Sequence, residues 1–466
     1  MSVIQALRGA LGEDRVLTGG DMAAWSTDWT GRYRWTPLCV VRPGSTEEVC
    51  AVMRIAHAAA VPVVPVSGHT GLAGGTHGDG AVMLSLERLN TIEEIRPEAR
   101  VAVVGAGVVL SALHEAAEAQ GLSFPMTFGA RGSARVGGLL ATNAGGSNVL
   151  RYGNTRDLVL GLEAVTAEGR VLDLMTALHK NNAGYDLRHL LIGSEGTLAV
   201  ITRAVLKLVR QPRAHATAMV AARSVSEALV LLNRLQDVTS GAVEAFEYMP
   251  AAYMDTYLAL HPEARAPFDS PQAVNILLEL GVTSPRDSTP GEDGLVPVVA
   301  ALQETLIELM EQGLVLDAVV AHSEAQRAEM WARREAAAEV SLSRRGALVN
   351  DVAVPLDAVE AFLTEAGARC RALDPDVQEM VVAHLGDGNV HYALWPSGAA
   401  EGGALVEAVE EVVRALGGSF SAEHGIGLHK KASMARHRDP VALEVMRAVK
   451  TALDPKGILN PGKVLP

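Results

Sequence analysis

Three glycine-rich clusters lie in the first half of the chain. They span Val66 to Thr76, Phe128 to Gly146, and Asn181 to Asp186 with Ile192 to Thr197. Runs of small residues let successive backbone N–H groups turn inward and bind a phosphate without a basic side chain. Tight turns of a glycine-rich scaffold would explain any one cluster equally well. Three clusters within one predicted domain favour a large phosphate-bearing ligand.

Two common nucleotide-binding motifs are not supported. The chain contains no Gly-x-x-x-x-Gly-Lys-Ser/Thr sequence, so a P-loop NTPase is not indicated. The sequence from Val104 to Leu110 begins like a dinucleotide-binding fingerprint, but Leu110 occupies the position of its third glycine. We interpret this stretch as the end of a strand.

The first half of the chain alternates short apolar runs with helical segments, which predicts an α+β fold. Ser45 and Glu48 have capping-box spacing, and the apolar residues from Val49 to Ala56 then recur on one helical face. A second helix is predicted near Leu110 to Gln120. The predicted strands are Val61 to Val66, Ala81 to Leu86, Val101 to Val104, Leu158 to Ala167 and Leu198 to Leu208.

The pattern changes near Gln211, where glycine becomes less frequent and longer helices rich in Ala, Glu and Leu begin. Ser224 is expected to cap a helix to Gln236, and the segment from Val282 to Gly294 is expected to be an exposed connection within this second domain. Short strands are predicted at Val274 to Leu280 and Met380 to His384. The other predicted helices are Val298 to Gln312, Ala325 to Leu342, Leu356 to Arg371 and Glu401 to Leu416.

Charge and composition exclude several classes of function. The chain has 466 residues, and 54 acidic against 40 basic side chains give a net charge of -14, which disfavours binding to nucleic acid. The longest stretch without charged residues, Ile55 to Gly78, contains prolines, histidines and glycines and is not a membrane span. No secretory signal is visible, and the three cysteines show no CxxC spacing. These features predict a cytoplasmic protein with no integral membrane segment.

A hairpin between Val381 and Leu394 predicts a metal site. Asp387-Gly388 between apolar runs indicates a type I′ turn, which would place His384 directly opposite His391 and Asn389 on the same face. Opposed residues have Cβ atoms about 4.5 to 5.5 Å apart, close enough for two imidazoles to share a metal. A single histidine in a strand is more often structural, but a pair placed by its own turn favours a site.

A third candidate ligand comes from the sequence Ser421-Ala-Glu423-His424-Gly-Ile-Gly427. Two histidines and a glutamate form a usual site for a borderline metal, and three protein ligands leave a position open for substrate. Zinc ranks ahead of manganese on ligand type.

Four stretches together resemble the FAD-binding domain of the vanillyl-alcohol oxidase superfamily. They are Pro65 to Gly75, Gly132 to Gly146, Tyr152-Gly153, and Gly184-Tyr-Asp with Gly193 to Leu198. The similarity is greatest to its branch of D-2-hydroxyacid dehydrogenases, which includes the D-lactate, glycolate and D-2-hydroxyglutarate enzymes, and it covers nearly the whole chain.

The resemblance implies a two-domain α+β architecture. Residues 1–211 would form the FAD domain with a core from about 37, residues 212–420 an α+β cap domain, and residues 421–466 a C-terminal segment that returns to the FAD domain. It implies noncovalent FAD, although His69 stands where relatives often have Asn, and a histidine in this loop is covalently bonded to flavin in some flavoproteins. The implied FAD-binding residues are Pro65, Ser67, Gly68, His69, Thr70, Gly71, Leu72, Pro125, Gly132, Ser133, Gly137, Gly138, Asn143, Gly145, Gly146, Gly153, Glu195, Gly196, Val200, Ile201 and Asn460.

The resemblance also assigns the catalytic parts. His384, His391 and Glu423 match the ligands of one divalent metal, and His424 matches the general base that also contacts substrate. Asn389 and Arg334 match substrate-binding positions. A small 2-hydroxy acid would chelate the metal, lose its hydroxyl proton to His424 and pass a hydride from C2 to flavin N5.

Several questions stay open at this point. Ala338 and the Val349-Asn350 region depart from the residues of D-2-hydroxyglutarate enzymes, so D-lactate and other side chains remain candidates. The sequence does not select the electron acceptor, although a soluble carrier such as an electron-transfer flavoprotein is favoured, and it is compatible with a homodimer. Two other functions remain: a metallohydrolase that uses the His/His/Glu set, and a noncatalytic flavin electron carrier.

Overall fold

A computed structural model describes residues 2–466 and resolves them into two units. The first unit comprises residues 2–145, 154–210 and 423–466, and the second comprises residues 146–153 and 211–422. Residues 146–153, which the sequence analysis assigns to the FAD domain, therefore group with the second unit. None of the helices formed by residues 2–466 is long and apolar enough to cross a membrane.

Strands and helices are distributed over both units, which confirms the predicted α+β class. In chain order the strands are β1 Val16–Leu17, β2 Cys39–Val41, β3 Val63–Val66, β4 Val82–Ser85, β5 Ile92–Arg96, β6 Val101–Gly105, β7 Leu122–Ser123, β8 Val159–Val165, β9 Val171–Leu174, β10 Val200–Lys207, β11 Val209–Arg210, β12 Ala214–Ala222, β13 Val243–Pro250, β14 Val274–Val282, β15 Val315–Val320, β16 Leu348–Ala353, β17 Gln378–His384 and β18 Asn389–Trp395. The α-helices are α1 Val3–Leu11, α2 Thr46–Ala59, α3 Leu110–Glu118, α4 Val136–Thr142, α5 Val149–Tyr152, α6 Leu187–Leu191, α7 Val225–Thr239, α8 Ala251–Leu260, α9 Pro285–Ser288, α10 Pro297–Glu311, α11 Glu324–Glu335, α12 Ala337–Leu342, α13 Val359–Leu373, α14 Gly402–Ala415, α15 Lys431–His437 and α16 Pro440–Leu453.

The first unit contains two main sheets. One has the order β1-β2-β4-β3, in which β2, β4 and β3 are parallel, and the other has the antiparallel order β5-β6-β10-β8-β9. A buried apolar core from α1, α2, β2 and β4 supports the first sheet. Parallel strands need crossover connections, and α2 supplies the one between β2 and β3.

Helix α2 begins where the sequence predicts, but its capping box is only half formed. Ser45 accepts a hydrogen bond from the Glu48 N–H, as an N-cap should. The Glu48 carboxylate instead accepts from the Gly44 N–H (2.6 Å) and from Arg15, because a basic partner lies within reach. The apolar face from Val49 to Ala56 is buried as predicted.

The C-terminal segment returns to the first unit, as the resemblance implies. Leu459 forms a parallel bridge with Val63 at the open edge of β3, with hydrogen bonds from Val63 N to Ile458 O and from Asn460 N to Val63 O (both 2.8 Å). The buried Asp454 carboxylate accepts from the Ile458 and Leu459 N–H groups and thereby shapes this turn.

The second unit is built on one antiparallel sheet of seven strands, with the order β15-β12-β14-β13-β17-β18-β16. Helices α7, α10, α13 and α14 cover one face and form its larger apolar core. Helices α8, α11 and α12 pack on the other face. Val282 is the buried last residue of β14, and the rest of the segment to 294 is a largely exposed connection, as predicted, that also contains the short α9.

The helix predicted from Ala325 to Leu342 is divided into α11 and α12 at Ala336, whose ψ is 2°. The Tyr253 hydroxyl donates to the Arg333 carbonyl at 2.6 Å. That carbonyl would accept the Ala337 N–H in a continuous helix. The Tyr253 hydroxyl of α8 therefore occupies a helix carbonyl at the position where the helix is broken.

Candidate functional site

The hairpin of β17 and β18 brings its two histidines together, but in a register that differs from the predicted one. His384 pairs with Asn389, and His391 pairs with Val382, so the turn contains four residues instead of two. Asp387 has no positive φ, whereas a type I′ turn requires positive φ at both central residues. The prediction that His384 lies directly opposite His391 is therefore wrong.

The shift of the pairing by two residues keeps the side chains on the predicted face, because side chains alternate with a period of two. The His384 and His391 rings lie diagonally on that face, with centroids 5.4 Å apart and planes at 73°. Asn389 lies directly opposite His384 and two residues before His391 on β18. The close approach that the sequence predicts is thus present, although by a diagonal contact.

Strand pairing adds two carboxylates to this face. Glu247 on β13 pairs with His384, and Asp351 on β16 pairs with His391. Both carboxylates are buried, with 0% of each residue exposed. We call the set Glu247, His384, Asn389, His391 and Asp351 the polar row.

At one end of the polar row, Glu247 binds both His384 and Arg334. His384 Nδ1 lies 2.8 Å from Glu247 Oε1, and Arg334 Nε donates to Glu247 Oε2 at 2.5 Å. Since a carboxylate only accepts, His384 carries its proton on Nδ1 and presents Nε2 as the lone-pair nitrogen. Burial raises the pKa of Glu247, but the charges and hydrogen bonds of His384 and Arg334 outweigh it and hold that pKa below its usual value.

Arg334, predicted to clamp a substrate carboxylate, is therefore already paired. It is 8% exposed, and its Nη2 lies 3.1 Å from His384 Nε2. The helix face of α11 that presents Arg334 also presents Arg327 and Trp331 to Glu279 on β14, at 2.6 to 2.8 Å. Arginines at i and i+7 of one helix thus meet glutamates on two neighbouring strands.

At the other end of the polar row, Asn389 and His391 meet Asp351. Asn389 Nδ2 donates to Asp351 Oδ1 (3.0 Å) and to Val352 O (2.9 Å), and His391 Nδ1 lies 3.7 Å from Asp351 Oδ1. Asn389 Oδ1 is buried and has no hydrogen-bond partner. An amide oxygen without a hydrogen-bond partner and two imidazoles are groups that can bind a divalent metal or the hydroxyl group of a ligand.

Glu247 and Asp351 were missed by the sequence analysis. Each lies within a buried strand, where a carboxylate is uncommon unless it is paired. The sequence Val243-Glu-Ala-Phe-Glu-Tyr-Met249 carries two acids in an otherwise apolar run, and this is the signal that would have found Glu247.

A second polar cluster in this unit was also missed. Glu244 accepts from Arg151 (2.8 Å) and from the Tyr152 hydroxyl (2.6 Å), and His215 Nε2 lies 3.7 Å from its other oxygen. Any side chain at Gly281 would collide with the Glu244 carboxylate. The cluster therefore anchors residues 146–153 to the sheet, and its arginine partner already balances the Glu244 charge.

In the first unit, the glycine clusters pack against one another and against the residues that follow Ala422. A Cβ at Gly68 would lie 2.7 Å from Ser133 O, so the first and second clusters touch through backbone. A Cβ at Gly145 would lie 2.5 Å from Glu423 Oε1, so this glycine makes room for the Glu423 side chain.

Two orphaned polar atoms in the first unit fit a large polar ligand such as FAD. Asn460 Nδ2 donates to Gly75 O (3.0 Å) and Glu195 O (2.8 Å), while its Oδ1 is buried without a partner. His69 has φ +56°, and its Nε2 lies 2.7 Å from Thr27 O, while Nδ1 is buried without a partner. His69 belongs to the first glycine cluster, and Asn460 is hydrogen-bonded to the backbone of the first and third clusters.

The other residues assigned to FAD lie in loops or within and next to strands and helices. Pro65 is in β3, Asn143 ends α4 with φ +53°, and Val200 and Ile201 begin β10. The assigned residues that belong to the first unit are Pro65, Ser67, Gly68, His69, Thr70, Gly71, Leu72, Pro125, Gly132, Ser133, Gly137, Gly138, Asn143, Gly145, Glu195, Gly196, Val200, Ile201 and Asn460, whereas Gly146 and Gly153 belong to the second.

Two family models match the chain. The C-terminal domain of FAD linked oxidases matches residues 211–464, and an FAD binding domain matches residues 37–175. Similar solved structures include p-cresol methylhydroxylase with substrate bound (TM-score 0.75, 16% identity, 99% of this chain and 96% of that chain) and alkyldihydroxyacetonephosphate synthase (TM-score 0.73, 17% identity, 98% and 84%).

Curated relatives are similar over nearly the whole chain. A D-2-hydroxyglutarate dehydrogenase of Xanthomonas citri pv. viticola is 40% identical over 95% of this chain and 92% of its own length. The protein of the same name in Stutzerimonas stutzeri is 35% identical over 99% and 98%, and the mitochondrial one of Bos taurus is 37% identical over 95% and 79%.

Proposed function

Because this chain belongs to the family of FAD-linked oxidases and has the fold of the vanillyl-alcohol oxidase superfamily, we propose that it is an FAD-dependent dehydrogenase that oxidises a D-2-hydroxy acid to the 2-oxo acid. The relatives named D-2-hydroxyglutarate dehydrogenase support this substrate class, at 35% to 40% identity. The structural observation that supports it most is the polar row, in which two imidazoles with ring centroids 5.4 Å apart adjoin an orphaned amide oxygen.

The first unit would hold FAD without a covalent bond. When bound, FAD supplies a hydride acceptor at its N5 atom. The glycine clusters offer backbone N–H groups for the diphosphate, and Asn460 Oδ1 and His69 Nδ1 offer unpaired polar atoms. If all the flavin stays in the supernatant when the protein is precipitated with acid, FAD is not covalently bonded to His69.

We also propose that His384, His391 and Glu423 bind one divalent metal, with zinc ahead of manganese on ligand type. A bound metal acts as a Lewis acid that lowers the pKa of a coordinated substrate hydroxyl. In the polar row, Glu247 fixes the proton on His384 Nδ1, so Nε2, which lies 3.1 Å from Arg334 Nη2, is the nitrogen that would bind a metal. Elemental analysis of purified protein and of its His384→Ala variant tests the ligand set: we expect the variant to lose metal and keep flavin.

His424 would remove the hydroxyl proton of the substrate, because an imidazole has its working pKa near neutrality. Asn389 Oδ1 would accept a hydrogen bond from the substrate. Arg334 would bind the substrate carboxylate while Glu247 keeps its guanidinium in one orientation. Connectivity supports joint action, since Ala422 N–H donates to Asp351 O at 3.2 Å and Glu423 and His424 follow directly in the chain.

Ala338, Val349 and Asn350, which depart from the residues of D-2-hydroxyglutarate enzymes, differ in their position relative to the polar row. Val349 lies on the same face of the sheet as Asp351, whereas Asn350 points to the opposite face, where its Nδ2 donates to Tyr392 O at 3.1 Å. Ala338 is exposed on α12. Of the three positions, Val349 is therefore the one on the sheet face of the polar row, where it packs against the apolar core of that face.

Anaerobic stopped-flow reduction of the flavin by a panel of D- and L-2-hydroxy acids tests the proposed function. We expect reduction by D-isomers only, and the ratio of D-lactate to D-2-hydroxyglutarate rates defines the substrate. Protein that takes up no FAD would refute the proposal. A flavoprotein that no D-2-hydroxy acid reduces would refute it too, and would favour an electron carrier.

A further inference from the structure

The carboxylate of Glu195 binds the backbone of the loop that directly follows Glu423 and His424. Its Oε1 accepts from the Ile426 N–H at 2.7 Å, and its Oε2 accepts from the Gly427 N–H at 2.8 Å. Two successive N–H groups that converge on one carboxylate form an anion-binding nest. The resemblance assigns Glu195 to FAD binding, but here both side-chain oxygens are engaged within the protein.

The glycines of this loop are required by the same contact. Gly425 has φ +73°, and a Cβ on it would lie 2.7 Å from Glu195 Oε1. Gly427 has φ +50°, and a Cβ on it would collide with Ala73 O. The loop can therefore approach Glu195 and the first glycine cluster only because it has no side chains at these two positions.

Glu195 is itself held in an unfavourable conformation. Its φ is +53°, in the left-handed region that residues other than Gly, Asn and Asp rarely adopt. Its N–H donates to Ala141 O (2.8 Å), and its carbonyl accepts from Asn460 Nδ2 (2.8 Å). Backbone strain of this kind persists only where the surroundings fix it, and it concentrates at functional sites.

We propose that Glu195 is a positioning residue that sets the place of Glu423 and His424 through the Gly425–Gly427 backbone. This inference rests on the proposed function, because it assigns a role to a loop that the proposed function makes catalytic. His424 lies two residues before Ile426, so a displaced nest displaces the base. A misplacement of about 1 Å at a reacting group can reduce a rate about 100-fold.

Glu195→Gln tests the proposal with little change in volume. The amide keeps one acceptor for one N–H but directs a donor at the other, so the nest opens. In hydrogen–deuterium exchange of the holoprotein, we expect the Ile426 and Gly427 amides to exchange at least about tenfold faster. We expect bound FAD to stay stoichiometric, the rate of flavin reduction to fall about 10- to 100-fold, and the substrate dissociation constant to change little.

Glu163→Gln is the matched control. Glu163 is a buried carboxylate of the same unit that accepts from Thr46 (2.6 Å), Thr202 (2.8 Å) and Arg203 (3.4 Å), none of which belongs to the loop. Its replacement should leave exchange within residues 423–429 and the reduction rate unchanged.

Two results would overturn the role of Glu195. One is unchanged exchange at Ile426 and Gly427 in Glu195→Gln. The other is weakened FAD binding with a normal reduction rate at saturating FAD, which would return Glu195 to the cofactor site. Hydrogen–deuterium exchange needs no substrate, so it tests whether Glu195 holds the Ile426 and Gly427 amides even if no D-2-hydroxy acid reduces the wild-type flavin. That second result would refute only the proposed function.

Discussion

At the scale of single residues, His424 carries the proposed proton transfer. Replacement by Ala should remove the base without disturbing FAD or metal, because His424 is not among the residues assigned to either. General acid–base catalysis contributes about 10²- to 10⁴-fold, so we expect flavin reduction by substrate to slow by that factor. Stopped-flow absorbance measures it, and a near-normal rate would refute the assignment.

Glu247 supports a separate prediction. A carboxylate that holds a metal-binding histidine in one tautomer typically contributes 10- to 100-fold in metal affinity. We expect Glu247→Gln to weaken metal binding by about that factor in chelator competition while FAD stays bound. It should also destabilise the second unit, because Arg334 is left buried with a weaker partner.

Glu279→Gln is the control for Glu247, since Glu279 lies on the neighbouring strand β14 and pairs with Arg327 of α11. It should destabilise the unit without lowering metal affinity. Equal losses of metal in the two variants would show that Glu247 acts only through stability.

At the scale of elements, the contact between the second glycine cluster and Glu423 makes a testable link. In Gly145→Ala, the new Cβ would lie 2.5 Å from Glu423 Oε1 and 3.2 Å from its Cδ, so the carboxylate must move. We expect lower metal content and slower flavin reduction, with the absorption spectrum of FAD retained.

Gly129→Ala is the matched control, because a Cβ there would meet nothing within 4 Å and its φ is not positive. It lies in the same cluster and should leave metal content and rate unchanged. If Gly145→Ala retains full metal content, Glu423 is not a ligand or its position is not set by this glycine.

Local sequence patterns predicted the elements more fully than the contacts between them. The N-cap at Ser45, the strands β3, β4, β6, β8 and β10 of the first unit and the shared face of His384, Asn389 and His391 follow from local patterns alone, whereas β1, β2, β5, β7, β9 and β11 were not predicted. The hairpin register did not, because turn length depends on backbone angles at Asp387 that the pair Asp-Gly does not determine.

Contacts over long sequence separations were beyond any local pattern. Glu247 contacts His384 although 137 positions separate them in the sequence. The Tyr253 hydroxyl contacts the Arg333 carbonyl, near the break between α11 and α12, across a separation of 80 positions. Gly145 was assigned to FAD binding and Gly425 and Gly427 were given no contact, yet each of the three makes room for a specific group elsewhere in the fold. Only the tertiary structure distinguishes a glycine that binds a ligand from one that receives a side chain.

At the scale of the whole molecule, the three cysteines can report the opening of each unit. Cys39 and Cys50 lie in the first unit and Cys370 in the second, and all three are buried. Burial raises the pKa of Cys39 and Cys370 to about 11, so little reactive thiolate exists near pH 8. We expect no alkylation of the native protein at this pH until a unit unfolds.

Thiol labelling along a urea gradient, with sites resolved by mass spectrometry, checks this expectation. Cys370 should become reactive together with loss of the second unit, and Cys39 together with loss of the first. Fast labelling of Cys39 or Cys370 in the absence of urea would contradict their burial.

The pairing of Leu459 with Val63 has a consequence for biosynthesis. During translation, β3 lacks this neighbour until Leu459 has left the ribosome, because the two residues are 396 positions apart. The second unit is contiguous except for residues 146–153 and can acquire its sheet earlier. Closing so long a loop slows folding, so we expect the sheet that contains β3 to be completed after the sheet of the second unit.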